Sequence, residues 1–581
     1  VRAADTTSAD PGPVAPITWA VVGDHDQRVV VVDLDADAGE RRRVSLAPGE
    51  FADHVVQREL ASAPRWVWDD TARRYPPLLA AGVRVARSHD LRLSHRILAC
   101  SADIGAPGAL RAAAEWEGGP SPAVAAAAAT LFDLAAPTDT TGAIAATLAE
   151  FRRQREALST ARAGSGLHLL AAAESAGALL AAEMHAAGLP WDQARHDAVL
   201  EAELGARPPS GARPSQLELL AQRLREQLDD PTLNPDSAVK LLRALHRRGI
   251  AVESTSRWEL ERVEHEVVPT LLEYKRLARL WSANGWAWSD EWVSAGRFRP
   301  VYIPAGVVTG RWASAGGGAL QIPRGLRSAV RADPGWCLVV ADVAQLEPRV
   351  LCGMSRDAAL AEASRGRDLY EGIVADGAVA TRDDAKVAML GAMYGATTGE
   401  SGRLVPRLRR TYPRAMAMVD AAARRGEDGA PVSTSWGRTT PDAGATWRAT
   451  QARASEADAS TADILRAKRA SRDRGRFTRN FIVQGTAAEW ALAWLADLRT
   501  RLTAFPEAAT AAPASGPVFA RRPHIAFFLH DEVIVHCPRE HAEEVAEAVR
   551  DAAASAGRLL FGDFPVDFPL DVRIAESAQK D

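Results

Sequence analysis

Apolar and polar positions change rhythm several times along the chain, and the changes divide it into segments. Residues 17–23 and 28–34 are apolar runs of strand length, and short helical and strand-like patterns follow around Trp66, Val83 and Leu91, so residues 17–107 predict a small α/β domain. Alanine dominates residues 110–163, where 123–136 has high helix propensity and nothing catalytic in character. Residues 167–188 keep a helical period up to the breaker Gly188-Leu189-Pro190, and 192–204 predict a further helix. After a loop at 206–214, residues 216–284 are almost wholly helical in pattern, broken only at Leu233-Asn234-Pro235-Asp236.

The second half reads differently. Residues 297–303 predict a strand and 307–323 a glycine-rich loop. The continuous apolar run 336–341 has the pattern of a buried strand delivering Asp342 at its tip. A helical block extends from there to Gln484 and beyond, and the Ala/Pro/Ser/Gly stretch 506–517 predicts a flexible surface loop. Runs 525–529 and 533–535 flank His530-Asp531-Glu532, a hairpin with acids at its turn, before a helix at 539–556 and a last strand at 566–574. The chain shows no internal repeat.

Composition sharpens this picture. A chain of 581 residues with 47% apolar residues, 25% charged residues and a net charge of -4 describes several globular domains and excludes a disordered or collagen-like protein. Near-neutrality argues, at first sight, against a nucleic-acid partner. The basic charge is almost all arginine; the lysines are Lys240, Lys275, Lys386, Lys468 and Lys580, so a lysine within a motif is conspicuous. Four cysteines without a CxxC pair suggest neither a zinc knuckle nor a disulfide framework and fit a reducing, cytoplasmic compartment. Residues 1–16 have the character of a flexible tail and lack the pattern of a signal peptide. The longest apolar stretch, 168–189, is interrupted by Glu174 and Glu183, so no membrane segment is expected.

Two constellations carry chemistry. A strand-end aspartate is by itself most often a turn former or a cap. Asp342 and Asp531, each after an apolar strand, can instead lie side by side at one sheet edge, where paired carboxylates hold hard divalent ions such as Mg2+ for phosphoryl transfer, with Glu532 beside them. Between them in the chain, Arg382, Lys386, Leu390 and Tyr394 recur every fourth residue along one helical face. Stacked cations one turn apart clamp a polyphosphate, although a solvated basic face is the bland alternative. Lysine scarcity and the small residues Gly391, Ala392 and Gly395, which permit close approach to the backbone, favour the clamp.

These residues carry a specific resemblance. Asp342-Val-Ala-Gln345-Leu-Glu347-Pro-Arg349 resembles motif A of family A DNA polymerases, residues 382–395 resemble motif B, and His530-Asp531-Glu532 resembles motif C, in the family's order. Thr309-Gly310-Arg311, Gln321-Ile322-Pro323, Arg476, Asn480 and Gln484-Gly485-Thr486-Ala487-Ala488 extend the match, which covers about residue 167 to the C-terminus. The resemblance implies a right-hand α+β fold of palm, fingers and thumb preceded by an α/β 3'-5' exonuclease-like domain. Its bounds would be a tail at 1–16, the exonuclease-like domain at 17–165, thumb and connecting helices at 166–300, palm at 301–365, fingers at 366–484 and palm again at 485–581.

The implied activity is extension of a primer by deoxynucleoside triphosphates on template DNA, with two Mg2+ ions, or Mn2+ as substitute. The resemblance makes Asp342 and Asp531 the metal ligands, Glu532 their support, and Arg382 and Lys386 the triphosphate clamp, with Lys386 also a proton donor to the leaving group. Glu347 is implied as the steric gate against a ribose 2'-hydroxyl. Gln345, Leu390, Tyr394 and His530 complete the nucleotide set, while Arg311, Gln321, Arg476, Asn480, Gln484, Lys275 and Asn234 are implied to touch DNA. A monomer associated with the nucleoid is the expected assembly.

Three departures stand out. Leu390 replaces the family's usual Phe or Tyr, so the ring that packs on the sugar is absent. Val343 and Ala344 replace Tyr-Ser, and Pro348 follows the gate, which is tolerated where a helix starts. In the first domain the acids and tyrosine of a proofreading site are mostly missing: Asp24 and Asp26 fall beyond the first strand, Asp33-x-Asp35 is a poor substitute, Asp90 is at most a relic, and no tyrosine occurs between Tyr75 and Tyr274. A degenerate, structural domain is expected, with an active exonuclease as the alternative; for the whole chain the rival reading is a non-catalytic DNA-binding relic that keeps the hand without the chemistry. Two arginine runs, 403–414 and 466–479, are solvated faces or DNA contacts, and the second lies nearer the matched residues.

Overall fold

The computed structural model describes residues 18–118, 140–209, 211–315, 318, 322–395 and 399–579, so the expected tail, the helix at 123–136 and Gln321 lie outside the described residues. In the first domain, strands β1 (Trp19–His25) and β2 (Arg28–Leu34) close a hairpin over Asp26 and Gln27, whose φ values of 47° and 60° suit the right-handed twist of the pair. Pairing runs out to His25↔Arg28, so Asp24 lies within the strand and not beyond it as the apolar run suggested. With β3 (Glu40–Leu46), β4 (Arg65–Trp68) and β5 (Arg87–Asp90) they form a sheet of order β3-β2-β1-β4-β5, parallel across β1-β4-β5.

Helices α1 (Phe51–Ala61), α2 (Thr71–Ala80) and α3 (Leu91–Cys100) connect these strands. Asp70 and Asp90 cap α2 and α3 by accepting the Ala72 and Leu93 amides. The short α4 (Gly108–Arg111) and α5 (Ile144–Ser159) complete the layer. The strands are apolar on both faces because both are covered: Val31, Trp66 and Trp68 face one core, and Val21, Val30 and Val67 the other.

Helix α6 (Leu167–Ala187) is long and apolar enough to cross a membrane by length and composition, yet 72% of that stretch is buried in protein. Its two glutamates explain its place. Glu174 receives Arg438, and Glu183 receives Tyr75 Oη at 2.7 Å together with Arg84 and Arg499, which ties the first domain to the rest.

Helices α7 (Gln193–Leu204), α8 (Ser215–Gln227), α9 (Ala238–Arg247), α10 (Arg257–Leu260), α11 (Val267–Asn284) and α12 (Trp286–Trp292) form an arm with its own core of Leu217, Leu241, Leu271 and Tyr274. The expected break at 233–236 is real: Asn234 Oδ1 accepts the Asp236 amide and Ser237 caps α9. Five two-residue strands follow the chain around this arm: β6 (Leu189–Pro190), β7 (Val293–Ser294), β8 (Arg297–Phe298), β9 (Tyr302–Ile303) and β10 (Ala313–Ser314). The single strand expected at 297–303 is split in two, because Pro300 has no amide to donate and the chain changes partner there, from β6 and β7 to β10.

A second sheet, β12-β13-β11-β14, is antiparallel throughout and consists of β11 (Trp336–Val343), β12 (His524–Leu529), β13 (Glu532–Pro538) and β14 (Leu570–Ala575). β14 begins later than expected, just after Pro569, whose carbonyl instead accepts the Ala344 amide. Between β11 and β12 lie α13 (Leu346–Ser355), α14 (Ala358–Ser364), α15 (Leu369–Ala375), α16 (Arg382–Tyr394), α17 (Gly399–Thr411), α18 (Pro413–Glu427), α19 (Gly444–Ala454) and the 43-residue α20 (Thr461–Thr503). The short α21 (Gly516–Phe519) precedes β12, and α22 (Ala542–Phe561) joins α20 in covering the sheet, with Trp490, Trp494 and Val549 in one core with Leu338 and Val340. The stretch 506–517 is not the free loop its composition suggested. Ala508 and Ala512 donate to the carbonyls of Arg521 and Ala520 at 2.8 and 2.7 Å, and Ser515 is buried.

Candidate functional site

The chain brings Asp342 and Asp531 together as expected. Asp342 sits one residue from the end of β11, opposite Glu532 of β13. Asp531 lies in the two-residue turn between β12 and β13, entered through His530 at φ 53°, and its carbonyl accepts the Val343 amide at 2.9 Å. One sheet edge therefore carries both carboxylates. Burial and then the charge of Asp342 push the Asp531 carboxyl up to about 6, as expected of two acids that share one site.

Glu532 is held differently. Both its oxygens receive Arg327 at 2.5 Å, behind the sheet edge, so its charge is already matched. Arg327 was not picked out from the sequence. The available signal was an arginine in a short apolar segment, Leu326 to Val330, preceding the buried strand.

Helix α16 begins with a reciprocal cap, Thr381 and Asp384 each bonding the other's amide, and ends at Gly395 with φ 73°. Arg382 and Lys386 are exposed on it, one turn apart. Arg382 donates to Asp368 at 2.8 Å, and Asp368 also accepts Gln345 Nε2 at 2.9 Å, so one carboxylate fixes the clamp relative to the segment after β11. Neither Asp368 nor its neighbour Tyr370 stood out in the sequence. Gln345 enters α13 at φ 48°, and Pro348 falls in the first turn of that helix, where the missing amide is harmless.

Glu347 accepts from Arg311 and from Tyr394 Oη at 2.8 Å, and Gln484 Nε2 reaches the same hydroxyl at 3.4 Å. Arg311, Glu347 and Tyr394 line a cavity of about 220 Å³ together with Gln345, Tyr370, Leu390, His530 and Asp531. Burial and the nearby Arg311 hold the His530 imidazole below its ordinary range, against the opposing charge of Glu347. Arg311 is aimed by its loop: at Gly310, with φ +88°, a Cβ would come within 2.6 Å of Arg438, the arginine anchored by Glu174. Gly485 is a second close approach, since a Cβ there would meet Thr434 at 2.4 Å. One turn on, Glu489 is fully buried against Thr434, the Trp436 amide and Arg438, and burial pushes its carboxyl up to about 7.

Other residues singled out in the sequence lie elsewhere. Arg476 is exposed and paired with Asp473, and Asn480 Oδ1 is buried without a hydrogen-bond partner among the described residues. Arg469, Arg472, Arg476 and Arg479 line a cleft of about 500 Å³ with Arg409 of the first arginine run. Lys275 is engaged internally, with its ammonium on Thr255 Oγ1 at 2.8 Å, and Asn234 serves its turn.

In the first domain, Asp24 and Asp69, at the ends of β1 and β4, are bound by Arg73 and Arg74, with Arg74 on Asp24 at 2.7 Å and on Asp69 at 2.8 Å. Asp33 pairs with Arg58 at 3.0 Å and Asp35 with Arg41 at 2.5 Å. Burial, then the neighbouring Asp70, push the Asp90 carboxyl up to about 7.

Comparison with known proteins follows the same lines. A sequence profile described as DNA polymerase family A matches residues 216–580. The thermostable DNA polymerase I of Thermus filiformis is 26% identical over 356 residues, 55% of this chain and 37% of that protein. DNA polymerase I of Chloroflexus aurantiacus is 26% identical over 322 residues, 51% of this chain and 31% of that protein. The chain thus spans well under half the length of these curated relatives. A solved structure, the POL domain of Pol1 from M. smegmatis in complex with DNA primer-template and dNTP, shares the fold with a TM-score of 0.67 at 17% identity, covering 96% of this chain and 95% of that one.

Proposed function

Because this chain belongs to DNA polymerase family A, we propose that it extends a DNA primer with deoxynucleoside triphosphates on a template strand. The observation that carries this reading is the pair Asp342 and Asp531 at one sheet edge, with Asp531 lining the cavity beside the Arg382 and Lys386 helix. In this reading β11 to β14 with α13 and α14 are the palm, α15 to α19 the fingers and α7 to α12 the thumb.

The paired carboxylates fit Mg2+, or Mn2+ in its place: they are hard oxygen donors, and their mutual repulsion, visible in the raised Asp531, is what a dication relieves. Bound there, such ions supply activation of the primer 3'-hydroxyl and charge neutralisation at the phosphate. Arg382 and Lys386 hold the triphosphate, and Lys386 offers a proton to the departing pyrophosphate oxygen. Glu347, pinned by Arg311 and Tyr394, stands as a rigid gate against the 2'-hydroxyl. Arg327 holds both oxygens of Glu532 beside the pair, although the Glu532 charge still adds to the repulsion that Asp531 feels. Primer extension on a recessed template by the purified protein with Mg2+ tests this reading. Replacing Glu347 with alanine should lower the preference for deoxynucleotides over ribonucleotides by on the order of 10 to 100-fold; unchanged selectivity in competition assays would remove it as the gate.

The first domain is exonuclease-like in its place before the thumb, and its proofreading function is lost. Arg73 and Arg74 occupy the carboxylates of Asp24 and Asp69, where a nuclease would need metal ions, and Asp70 and Asp90 cap helices. A labelled, mispaired primer held with Mg2+ and no nucleotides should stay full length. Shortening that persists in a variant lacking Asp342 and Asp531 would contradict the loss.

A further inference from the structure

We propose that Tyr370, on α15, supplies the aromatic wall against the sugar of the incoming nucleotide that α16 lacks at Leu390. The inference rests on the polymerase reading above and deepens it. Tyr370 and Leu390 line the same cavity as Glu347, Tyr394 and Asp531. They also belong to one packed cluster with Ala385 and Met389 of α16, and Tyr370 is only 6% exposed, so its ring is a fixed surface.

Its position is set by charged neighbours on both sides. Asp368 caps α15 through the Glu371 amide at 3.0 Å and holds both Gln345 and Arg382. The Arg382 guanidinium lies 5.5 Å from the Tyr370 ring centroid, a favourable cation–aromatic separation. Burial first, then Asp368, Glu347 and Tyr394, push the hydroxyl up to about 12 against the lowering effect of Arg382. The group therefore stays neutral and does not repel a triphosphate.

The ring thus lies between the phosphate clamp and the ribose gate, the interval a sugar must occupy. A leucine at 390 is too short to close that interval with a flat surface, and Tyr370 closes it from a different helix. Sugar selection is then shared between two elements, α15 for packing and α13 for the 2'-position.

The test is steady-state incorporation of one deoxynucleotide by the full chain and by Tyr370→Leu, Tyr370→Phe and the double variant Tyr370→Leu/Leu390→Phe. Primer-template affinity is measured separately by fluorescence anisotropy. Tyr370→Leu should raise the nucleotide KM about tenfold with a smaller change in kcat and no change in DNA affinity, Tyr370→Phe should recover the low KM, and the double variant should regain most of it. An unaltered KM in Tyr370→Leu, a Phe variant as impaired as the Leu variant, or failure of the ring at 390 to rescue would each overturn the proposal. Absence of incorporation by the unaltered chain would instead count against the polymerase reading itself.

Discussion

Replacing Asp531 with asparagine is expected to abolish primer extension, by at least about 10³-fold, while making the metal-free protein more stable. The two effects have one origin. In the folded chain burial and the facing Asp342 push the Asp531 carboxyl up to about 6. Above that pH, holding it ionised costs about 3 kcal/mol on the scale of 1.36 kcal/mol per unit. Asparagine keeps the shape and the turn but removes the charge, so a melting temperature a few degrees higher is expected in buffer containing a chelator. Mg2+ should narrow that gap, since the ion stabilises the unaltered chain and not the variant. Asp342→Asn should lose extension to the same degree. A variant that extends primers normally, or an Asp531→Asn protein that melts lower than the parent in chelator, would contradict the shared-site account.

Glu183→Gln should cost about 3–5 kcal/mol of stability, the usual consequence of leaving a buried charge without its partner. Glu183 is 2% exposed and receives Tyr75, Arg84 and Arg499, with Arg499 itself 5% exposed. Burial by itself would raise the carboxyl, but the two guanidinium groups prevail and lower it to about 2. Because the folded value lies below that of an unfolded glutamate, near 4.3, the contribution is fully present above that pH and is lost as pH falls through about 2. Tyr75 and Arg84 belong to the first domain, Glu183 to α6 and Arg499 to α20, so the variant should also expose the first domain to limited proteolysis before the rest. Denaturant unfolding monitored by tryptophan fluorescence measures the loss; a change under 1 kcal/mol would show that this network is not what joins the domains.

Much of this was legible in the sequence because short-range chemistry determines it. The run 336–341 ending on Asp342 could only be a covered strand, and His530-Asp531 between two apolar runs could only be a tight turn, so both acids were placed correctly at strand ends. The four-residue repeat from Arg382 to Tyr394 likewise needed nothing but helical geometry. The residues that were missed act across the fold. Arg327 is defined by Glu532, 205 positions away, and Asp368 by its position between Gln345 and Arg382. Tyr370 gains meaning only from the cavity it shares with Leu390. Lys275 and Asn234, which the resemblance implies as DNA contacts, also have partners within the arm, Thr255 Oγ1 and the Asp236 amide. The first domain shows why an acid count misleads, since Asp24 and Asp69 do meet at a sheet edge but two arginines meet them there. The stretch 506–517 misled by composition, because its order comes from backbone pairing that any residue other than proline can make.

The most direct measurement of the central claim is incorporation of a single nucleotide on four primer-templates that differ only in the first unpaired template base, each offered the four deoxynucleoside triphosphates one at a time with Mg2+. The account predicts one added residue, chosen by the template base in each case, and none when Asp342→Asn or Asp531→Asn replaces the parent protein. Addition that ignores the template base, or no addition by the parent protein under conditions where it binds the primer-template, would contradict it.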